Sequence, residues 1–315
     1  MIVSVIFVSY NTAQISLKAL ESLYGSIGNF DLEVFVVDNA SKDNSVEVIK
    51  EKYPHLTLIE NKTNVGFGRA NNQALAIAKG DYILLLNTDA FVQTDTLQKT
   101  VRYMEEHPKC GLLGARLLSS DGTQQPSCRF FPTPFNLFAH RTGLNRVFKH
   151  IKMVDDPQWN PAITDQCDWV PGCYYLLRRQ VMQEVGGFDP LFFLYSEEVD
   201  HCFSIKNAGW EVTYFAEAPV VHIGGESAKS VGKISTVSRQ VPLLQIESEL
   251  LYFRKNHGVI GVITHILMSN LADAVQFAKD LVTMRGINKL AYDIKRVFSY
   301  WRLFFVTDFA KKSTR

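Results

Sequence analysis

Tyr82-Ile83-Leu84-Leu85-Leu86-Asn87-Thr88-Asp89 is the stretch on which the fold turns. Its apolar run shows no alternation, which predicts a strand covered on both faces. The polar triplet that follows marks the point where the chain leaves the sheet. Working outward, the same pattern recurs. Ile2-Val3-Ser4-Val5-Ile6-Phe7-Val8 runs into Ser9-Tyr10-Asn11, residues 33–37 run into Asp38-Asn39-Ala40-Ser41, and residues 56–59 form a third short strand. Between these lie stretches of helical spacing: 13–24 (through Ile15, Leu17, Leu20 and Leu23), 45–53, 69–78 before Gly80, and 96–106. Strands separated by helices predict parallel βαβ units. In such sheets ligands bind beyond the carboxyl ends of the strands. Each polar cluster alone is ordinary turn and cap chemistry; three at successive or near-successive strand ends predict a binding site.

Composition narrows the class. The chain has 315 residues, 46% of them hydrophobic, with a formal net charge of +1. That excludes a disordered chain, and 19 Gly and 11 Pro exclude a collagen-like one. Near-neutral charge argues against a nucleic-acid partner. Cys110, Cys128, Cys167, Cys173 and Cys202 are odd in number and form no C-x-x-C pair, so neither a zinc framework nor a disulfide scaffold is expected, and free thiols in a reducing cytosol are. The apolar start is too short for a signal core and reads as a strand. The longest later apolar run, 259–268, is too short to predict a spanning helix.

Residues 107–180 are less regular. Ser119-Ser120-Asp121-Gly122 predicts a turn between two extended stretches, and Phe130-Phe131-Pro132-Thr133-Pro134-Phe135 a loop over the sheet. Residues 169–179 predict a strand carrying Gly172. A short helix and the turn Gly186-Gly187-Phe188-Asp189-Pro190 follow. Phe192-Phe193-Leu194-Tyr195-Ser196-Glu197-Glu198-Val199-Asp200 then opens a helix that Gly209 closes.

The order and spacing of these motifs resemble family 2 glycosyltransferases of the GT-A fold, especially the bacterial rhamnosyltransferase-like branch. The resemblance is carried by Val8-Ser9-Tyr10-Asn11, Val36-Val37-Asp38-Asn39-Ala40-Ser41, Asn64-Val65-Gly66-Phe67-Gly68-Arg69-Ala70-Asn71-Asn72 and Leu85-Leu86-Asn87-Thr88-Asp89. The acidic block through Glu197-Glu198-Val199-Asp200 and the late His222-Ile223-Gly224-Gly225-Glu226-Ser227 extend it to about residue 230. It implies an α/β GT-A (nucleotide-diphospho-sugar transferase) fold: a mixed, mostly parallel sheet flanked by helices, with a C-terminal helical extension. The expected domains are a catalytic domain over 1–235, with a nucleotide-sugar-binding half (1–106) and an acceptor-side half (107–235), and a helical extension over 236–315.

The implied reaction moves a sugar, with inversion, from a nucleoside diphosphate to a hydroxyl of a glycan or lipid-linked glycan acceptor in cell-surface polysaccharide synthesis. The resemblance points to dTDP-rhamnose as donor. Asp38 stands where a base or ribose would donate hydrogen bonds, with Ser9, Asn11 and Asn39 lining the pocket. Gly66 and Gly68 would let backbone approach the donor, and Arg69 could meet a phosphate. Asn71 in the third glycine position removes a dinucleotide fingerprint and with it a dehydrogenase reading. Charge developing on the diphosphate calls for a divalent metal, Mg²⁺ or Mn²⁺, or for positive donors. The resemblance assigns Asp89 as metal ligand. Asn87 leaves that motif a single carboxylate, and His222 is the further candidate ligand, the alternative for it being a packed histidine.

Glu197, Glu198 and Asp200 place three acids within four positions, and their repulsion raises a pKa usefully for a base. The resemblance puts the base at Glu198, with Asp200 as second choice. Trp169 and Tyr195 are candidate stacking surfaces for acceptor sugar. Two other classes stay open. One is a nucleotidyltransferase, for which residues 9–12 lack the basic Gly-rich loop a triphosphate needs. The other is a non-catalytic glycan- or membrane-binding scaffold.

Near-neutrality hides an asymmetry. Residues 285–315 hold eight Lys and Arg against Asp293 and Asp308, a net +6, leaving −5 for the rest. Leu290, Ile294, Val297, Phe298, Trp301, Phe304 and Phe305 recur at helical spacing in one stripe, flanked by Lys295 and Arg302 on one side and Lys289 and Arg296 on the other. Asp308 interrupts its end. Two readings fit: a helix packed on protein, or peripheral contact of 286–311 with a membrane, which would set the enzyme at the inner face of the cytoplasmic membrane.

Overall fold

The computed structural model describes the chain apart from residues 149, 157, 225–233 and 284–286, and describes side chains apart from those and from 234–242 and 287–293. Gly225-Glu226-Ser227 of the late histidine motif and Arg285 lie outside the described residues. Lys289, Leu290 and Asp293 lie outside the described side chains.

The chain divides into two compact units. The first holds residues 1–129, 159–190 and 197–237, and is built on one mixed sheet. Its strands are β1 (Ile2–Ser9), β2 (Asp31–Asp38), β3 (Thr57–Glu60), β4 (Tyr82–Leu86), β5 (Ala90–Val92), β6 (Cys110–Leu118), β7 (Asp165–Gln166), β8 (Tyr174–Arg178) and β9 (Glu211–His222). The order is β3-β2-β1-β4-β8-β6-β9-β5, with β7 pairing β9. The first four are parallel, as the uninterrupted apolar runs require. β8 is antiparallel to both β4 and β6, and β9 returns parallel to β6. Helices α1 (Ala13–Tyr24), α2 (Ser45–Lys52), α3 (Phe67–Leu75), α4 (Thr96–Glu106), α6 (Arg179–Val185) and α7 (Glu197–Asn207) alternate with them.

Both sheet faces are covered. Val5, Phe7, Leu84 and Leu86 point into a core with Leu20, Leu23 and Ile49, while Ile6, Val37, Ile83 and Leu85 on the opposite face are equally buried. Each such side chain contributes about 1.5–3 kcal/mol by leaving water. This is why β1 and β4 carry no period-2 polarity.

The GT-A architecture expected from the motifs is the one observed, with three local differences. Residues 169–173 do not join β8, because Pro171 has no N–H for a ladder. The segment read as a loop from Phe130 ends in a helix, α5 (Pro134–Thr142), nucleated by a reciprocal capping box between Thr133 and Asn136 with Pro134 in its first turn. And 259–268 is one part of a much longer helix. All five cysteines are buried and free of disulfides.

The second unit holds residues 130–158, 191–196 and 238–315. Segments 130–158 and 191–196, read from sequence with the acceptor-side half, therefore cluster with the C-terminal helices. Those helices are α8 (Ile234–Val282), broken at Gly258, whose φ of 69° and ψ of −165° are non-helical, and α9 (Ile287–Val306). Part of α8, Leu243–Val282, contains an 18-residue window of mean hydropathy 1.5, so by length and composition it could cross a membrane, contrary to the sequence expectation. An uninterrupted-run criterion misses it because Thr264, His265, Ser269 and Asn270 are scattered along it.

Polar ties hold this unit together. Arg141 of α5 pairs with buried Asp273 and donates to Ser269 O, and Lys279 Nζ donates to Thr142 O at 2.5 Å. Glu247 accepts from Thr314 N at 2.7 Å, Thr314 Oγ1 at 2.8 Å and Ser313 Oγ at 3.1 Å. Ser248 Oγ donates to Leu194 O at 2.7 Å, anchoring segment 191–196.

Candidate active site

At the carboxyl end of β2 the chain turns back through Asp38. Its Oδ2 accepts from Ser41 N at 2.9 Å, while its Oδ1 is buried with no hydrogen-bond partner among the described residues. A buried acceptor without a donor is costly, so this oxygen is set for a group that arrives from outside. Around it the sequence candidates divide by role. Ser9 is buried, with its Oγ 3.2 Å from Thr12 Oγ1 and its carbonyl accepting from Asn39 N at 2.8 Å. Asn11 has a φ of 52° and accepts from Lys42 N at 2.6 Å, shaping the 41–42 turn.

The side chain of Asn39 is spent on the protein. It donates to Asn64 Oδ1 and Gly66 O and accepts from Val65 N and Asn61 Nδ2, which pins the 61–66 loop. Gly66 is thus fixed by Asn39, and Arg69 Nε donates to Pro190 O at 2.8 Å. Gly68 is needed for close approach: a Cβ there would sit 3.0 Å from Phe188 Cβ and 3.6 Å from Glu197 Cβ, so the donor-side helix α3 lies directly against the acidic block.

Asn72, one turn further along α3, clips that approach. It accepts from Phe188 N at 2.9 Å and donates to Phe188 O at 2.7 Å. Asn72 closes the Asn64–Asn72 motif, but the sequence does not show what it holds, because its partner is 116 residues away. Asn72→Ala strands both backbone groups and should cost about 1–3 kcal/mol; a thermal melt with unchanged midpoint would refute the clip.

Asp89 and His222 meet through strand register. β5 pairs with β9 so that Ala90 lies opposite His222, which brings the preceding Asp89 to the end of β9. Asp89 Oδ1 lies 3.4 Å from His222 Nε2, and Oδ2 accepts from Gly224 N at 3.1 Å. His222 Nδ1 is 2.9 Å from Gln125 Oε1, and Gln125 Nε2 donates to the His222 carbonyl at 2.7 Å. Burial opposes protonation of His222, but the hydrogen bond to Asp89 and the neighbouring Cys173 outweigh it and push its pKa up to about 10. Asn87 contributes its backbone, donating to Cys173 O at 3.1 Å.

These residues fit a divalent cation. With Nδ1–H given to Gln125, Nε2 faces Asp89; a cation would displace the proton that the raised pKa keeps on Nε2, and the pair would then offer one nitrogen and one carboxylate. No cluster of three or more His, Cys, Asp or Glu able to hold a metal occurs among the described residues, so a cation here would complete its shell with diphosphate oxygens and water. Gln125 was not legible in sequence; it lies 97 residues from His222.

The acids open α7. Glu197 is buried, and burial together with the charge of Glu198 raises its pKa well above the ordinary range. Burial raises the Glu198 pKa as well, against a lowering from its backbone hydrogen bond and Arg129. One carboxylate oxygen of each, Oε2, is buried with no hydrogen-bond partner among the described residues. Asp200 is buried in the same turn. Tyr195 and Ser196, just before, hold φ values of 70° and 64°, left-handed for non-glycine residues. Such strain gathers at functional sites. Trp169 is buried, and the Arg129 guanidinium covers its ring at 4.3 Å. His201 lies within 2.9 Å of both Tyr175 Oη and Gly186 O, which ties α7 to β8 and to the turn after α6.

The chain belongs to glycosyl transferase family 2, whose family model matches residues 4–202. It is similar to the N-acetylglucosaminyl-diphospho-decaprenol L-rhamnosyltransferase of Mycobacterium tuberculosis, 25% identical over 221 residues, covering 64% of this chain and 69% of that one. It is also similar to the rhamnosyltransferase WbbL of Escherichia coli, 27% identical over 240 residues, covering 72% and 86%. Among solved structures, the mannosyltransferase PcManGT from Pyrobaculum calidifontis, in complex with GDP-Man and Mn²⁺, aligns with a TM-score of 0.56 and 18% identity over 99% of this chain and 88% of that one.

Proposed function

We propose that this glycosyltransferase transfers rhamnose from dTDP-rhamnose, with inversion, to a hydroxyl of a lipid-linked glycan during cell-surface polysaccharide synthesis. The two similar rhamnosyltransferases support the sugar, and the decaprenol-linked substrate named for one of them supports the acceptor class. The observation that carries the chemistry is the pair of buried Oε2 atoms of Glu197 and Glu198, which lack donors among the described residues. An acceptor hydroxyl is such a donor.

In the proposed reaction the acceptor oxygen attacks the anomeric carbon from the face opposite the diphosphate. The new C–O bond forms as the C–O bond to phosphate breaks, the hydroxyl proton passes to Glu198 Oε2, and the nucleoside diphosphate leaves with the bonding pair. Asp38 Oδ1 accepts from the base or ribose, with Ser9, Asn11 and Asn39 shaping that pocket. Gly66 and Asn87 present backbone beside the donor, and Arg69 braces the α3 loop. Burial keeps Glu198 basic, and Glu197 and Asp200 stand beside it in the first turn of α7. Tyr195 is the proposed acceptor-sugar contact, whereas Trp169, expected from sequence to share that role, is buried beneath the Arg129 guanidinium and positions Arg129 instead. Asp89 and His222 would hold Mg²⁺ or Mn²⁺, which supplies positive charge to the leaving diphosphate. The lipid-linked acceptor would place the enzyme at the cytoplasmic face of the membrane.

Thermal stabilisation by donor tests this reading. dTDP-rhamnose with Mn²⁺ at about 100 times its Kd should stabilise the fold by about 2.7 kcal/mol, whereas GDP-mannose and UDP-N-acetylglucosamine should shift the melt much less. An equal shift from all three refutes the donor assignment.

A further inference from the structure

We infer that the second half of α8 is a bilayer-contacting face, lying in the headgroup zone of an anionic membrane rather than crossing it. This rests in part on the lipid-linked acceptor proposed above, but its argument is independent of turnover.

Beyond the break at Gly258, most exposed positions of α8 fall at helical spacing on one side. Ile260 is 83% exposed, Leu267 55%, Leu271 53% and Leu281 59%. The other exposed positions between them are Thr264, Ala274, Ala278 and Lys279; Lys279 lies about 100° round the helix from the apolar line, where its Nζ donates to Thr142 O. The stripe spans 21 residue steps, about 31 Å at helical rise, and no charged residue falls within it. A helix of a water-soluble domain shows the reverse pattern, with polar residues outward. Apolar residues scattered singly over a surface need no explanation, but a continuous stripe of this length does.

The buried side of the same helix excludes a spanning role. Asp273 is 2% exposed and pairs with Arg141, with Arg296 Nε 3.9 Å away, and His265 stacks on Phe253 inside the unit. One side of α8 is therefore committed to polar partners of its own unit, while a lone spanning helix must be apolar all round. Only a third of its most apolar window is buried. Such a helix lies at an interface.

Charge and aromatic content identify the occupant. In α9 the sequence stripe divides: Phe304 packs inward, as does Tyr300 outside the stripe, whereas Ile294, Phe298 (70% exposed) and Phe305 (60% exposed) face outward. Arg296 is drawn toward Asp273, so the basic flank is Lys295 and Arg302, followed by exposed Lys311 and Lys312. Exposed Phe beside Lys and Arg suits the lipid headgroup zone, where rings enter the acyl boundary and cations meet phosphate. The net +6 of 285–315 against −5 for the remainder favours an anionic surface over a second copy of the chain, which would bring two basic tails together.

Flotation of the full chain with vesicles tests the inference. The chain should float with equimolar phosphatidylglycerol and phosphatidylethanolamine, and much less with phosphatidylcholine. Leu267→Glu with Leu271→Glu should weaken vesicle affinity at least tenfold while leaving the melting temperature unchanged, since both side chains face solvent. Lys295→Glu with Arg302→Glu should weaken binding severalfold to anionic vesicles only. The inference is overturned if the α8 variant floats like the parent, if the parent resists alkaline carbonate extraction as a spanning protein does, or if the variant instead converts a soluble dimer to a monomer. A parent chain that transfers sugar yet does not float refutes this inference alone; one that floats yet transfers nothing refutes the proposed activity alone.

Discussion

Glu198→Gln should lower sugar transfer by about 10²–10⁴-fold, the usual contribution of a positioned general base. The substitution keeps the shape of the side chain and removes its ability to take a proton. The proposed donor site is built on Asp38, Asp89 and His222 instead, so donor-induced thermal stabilisation should persist. The pH profile supplies a second reading. Burial raises the Glu198 pKa, and Arg129 only partly offsets it. A base works deprotonated, so activity should climb with pH through a value above the ordinary glutamate range and be lost below it. In Glu198→Gln that acid limb should vanish from whatever activity remains. If turnover is unchanged, Glu198 is not the base; if Asp200→Asn instead removes the limb, the role belongs to Asp200.

Asp89→Asn carries the other large effect. Asp89 is the single carboxylate of its motif, because Asn87 stands where an acidic pair would supply a second. It also faces His222 at 3.4 Å and receives Gly224 N–H. Asparagine preserves an acceptor for Gly224 but removes the negative charge. Turnover should fall at least about 10²-fold, comparable to losing one group that stabilises developing charge. Unlike Glu198→Gln, it should also abolish the extra thermal shift that Mn²⁺ adds to nucleoside diphosphate. Retention of a full Mn²⁺-dependent shift would remove Asp89 from the cation site. The two variants thus separate chemistry from donor capture, which a loss of activity alone would not.

Much of the first unit is readable because its cues are local. The apolar runs at 2–8 and 82–86, with helical spacing between, fix parallel strands without knowledge of their neighbours, since a strand buried on both faces must be apolar throughout. Helices 13–24 and 96–106 match α1 and α4 residue for residue. Polar clusters at strand ends follow from topology, so Asp38, Asp89 and the acids at 197–200 could be singled out. Residue type alone did not separate working groups from framework. Asn39 and Asp38 are adjacent and equally buried, yet Asn39 is consumed by four contacts with the 61–66 loop while Asp38 keeps an oxygen without a donor.

The parallel βαβ half, the acids at its strand ends and the basic, aromatic tail are each written in spacing and charge over a few consecutive residues. The tertiary structure alone decided which groups meet. The register of β5 on β9 joins Asp89 to a histidine 133 positions later, and Gln125 orients that histidine from a third segment. Asn72 clips α3 to Phe188 in the turn that precedes the acidic block. The outward face of α8 became visible only once its inward face had found Asp273's partners, because exposure is set by what packs on the other side of a helix and not by the helix's own composition.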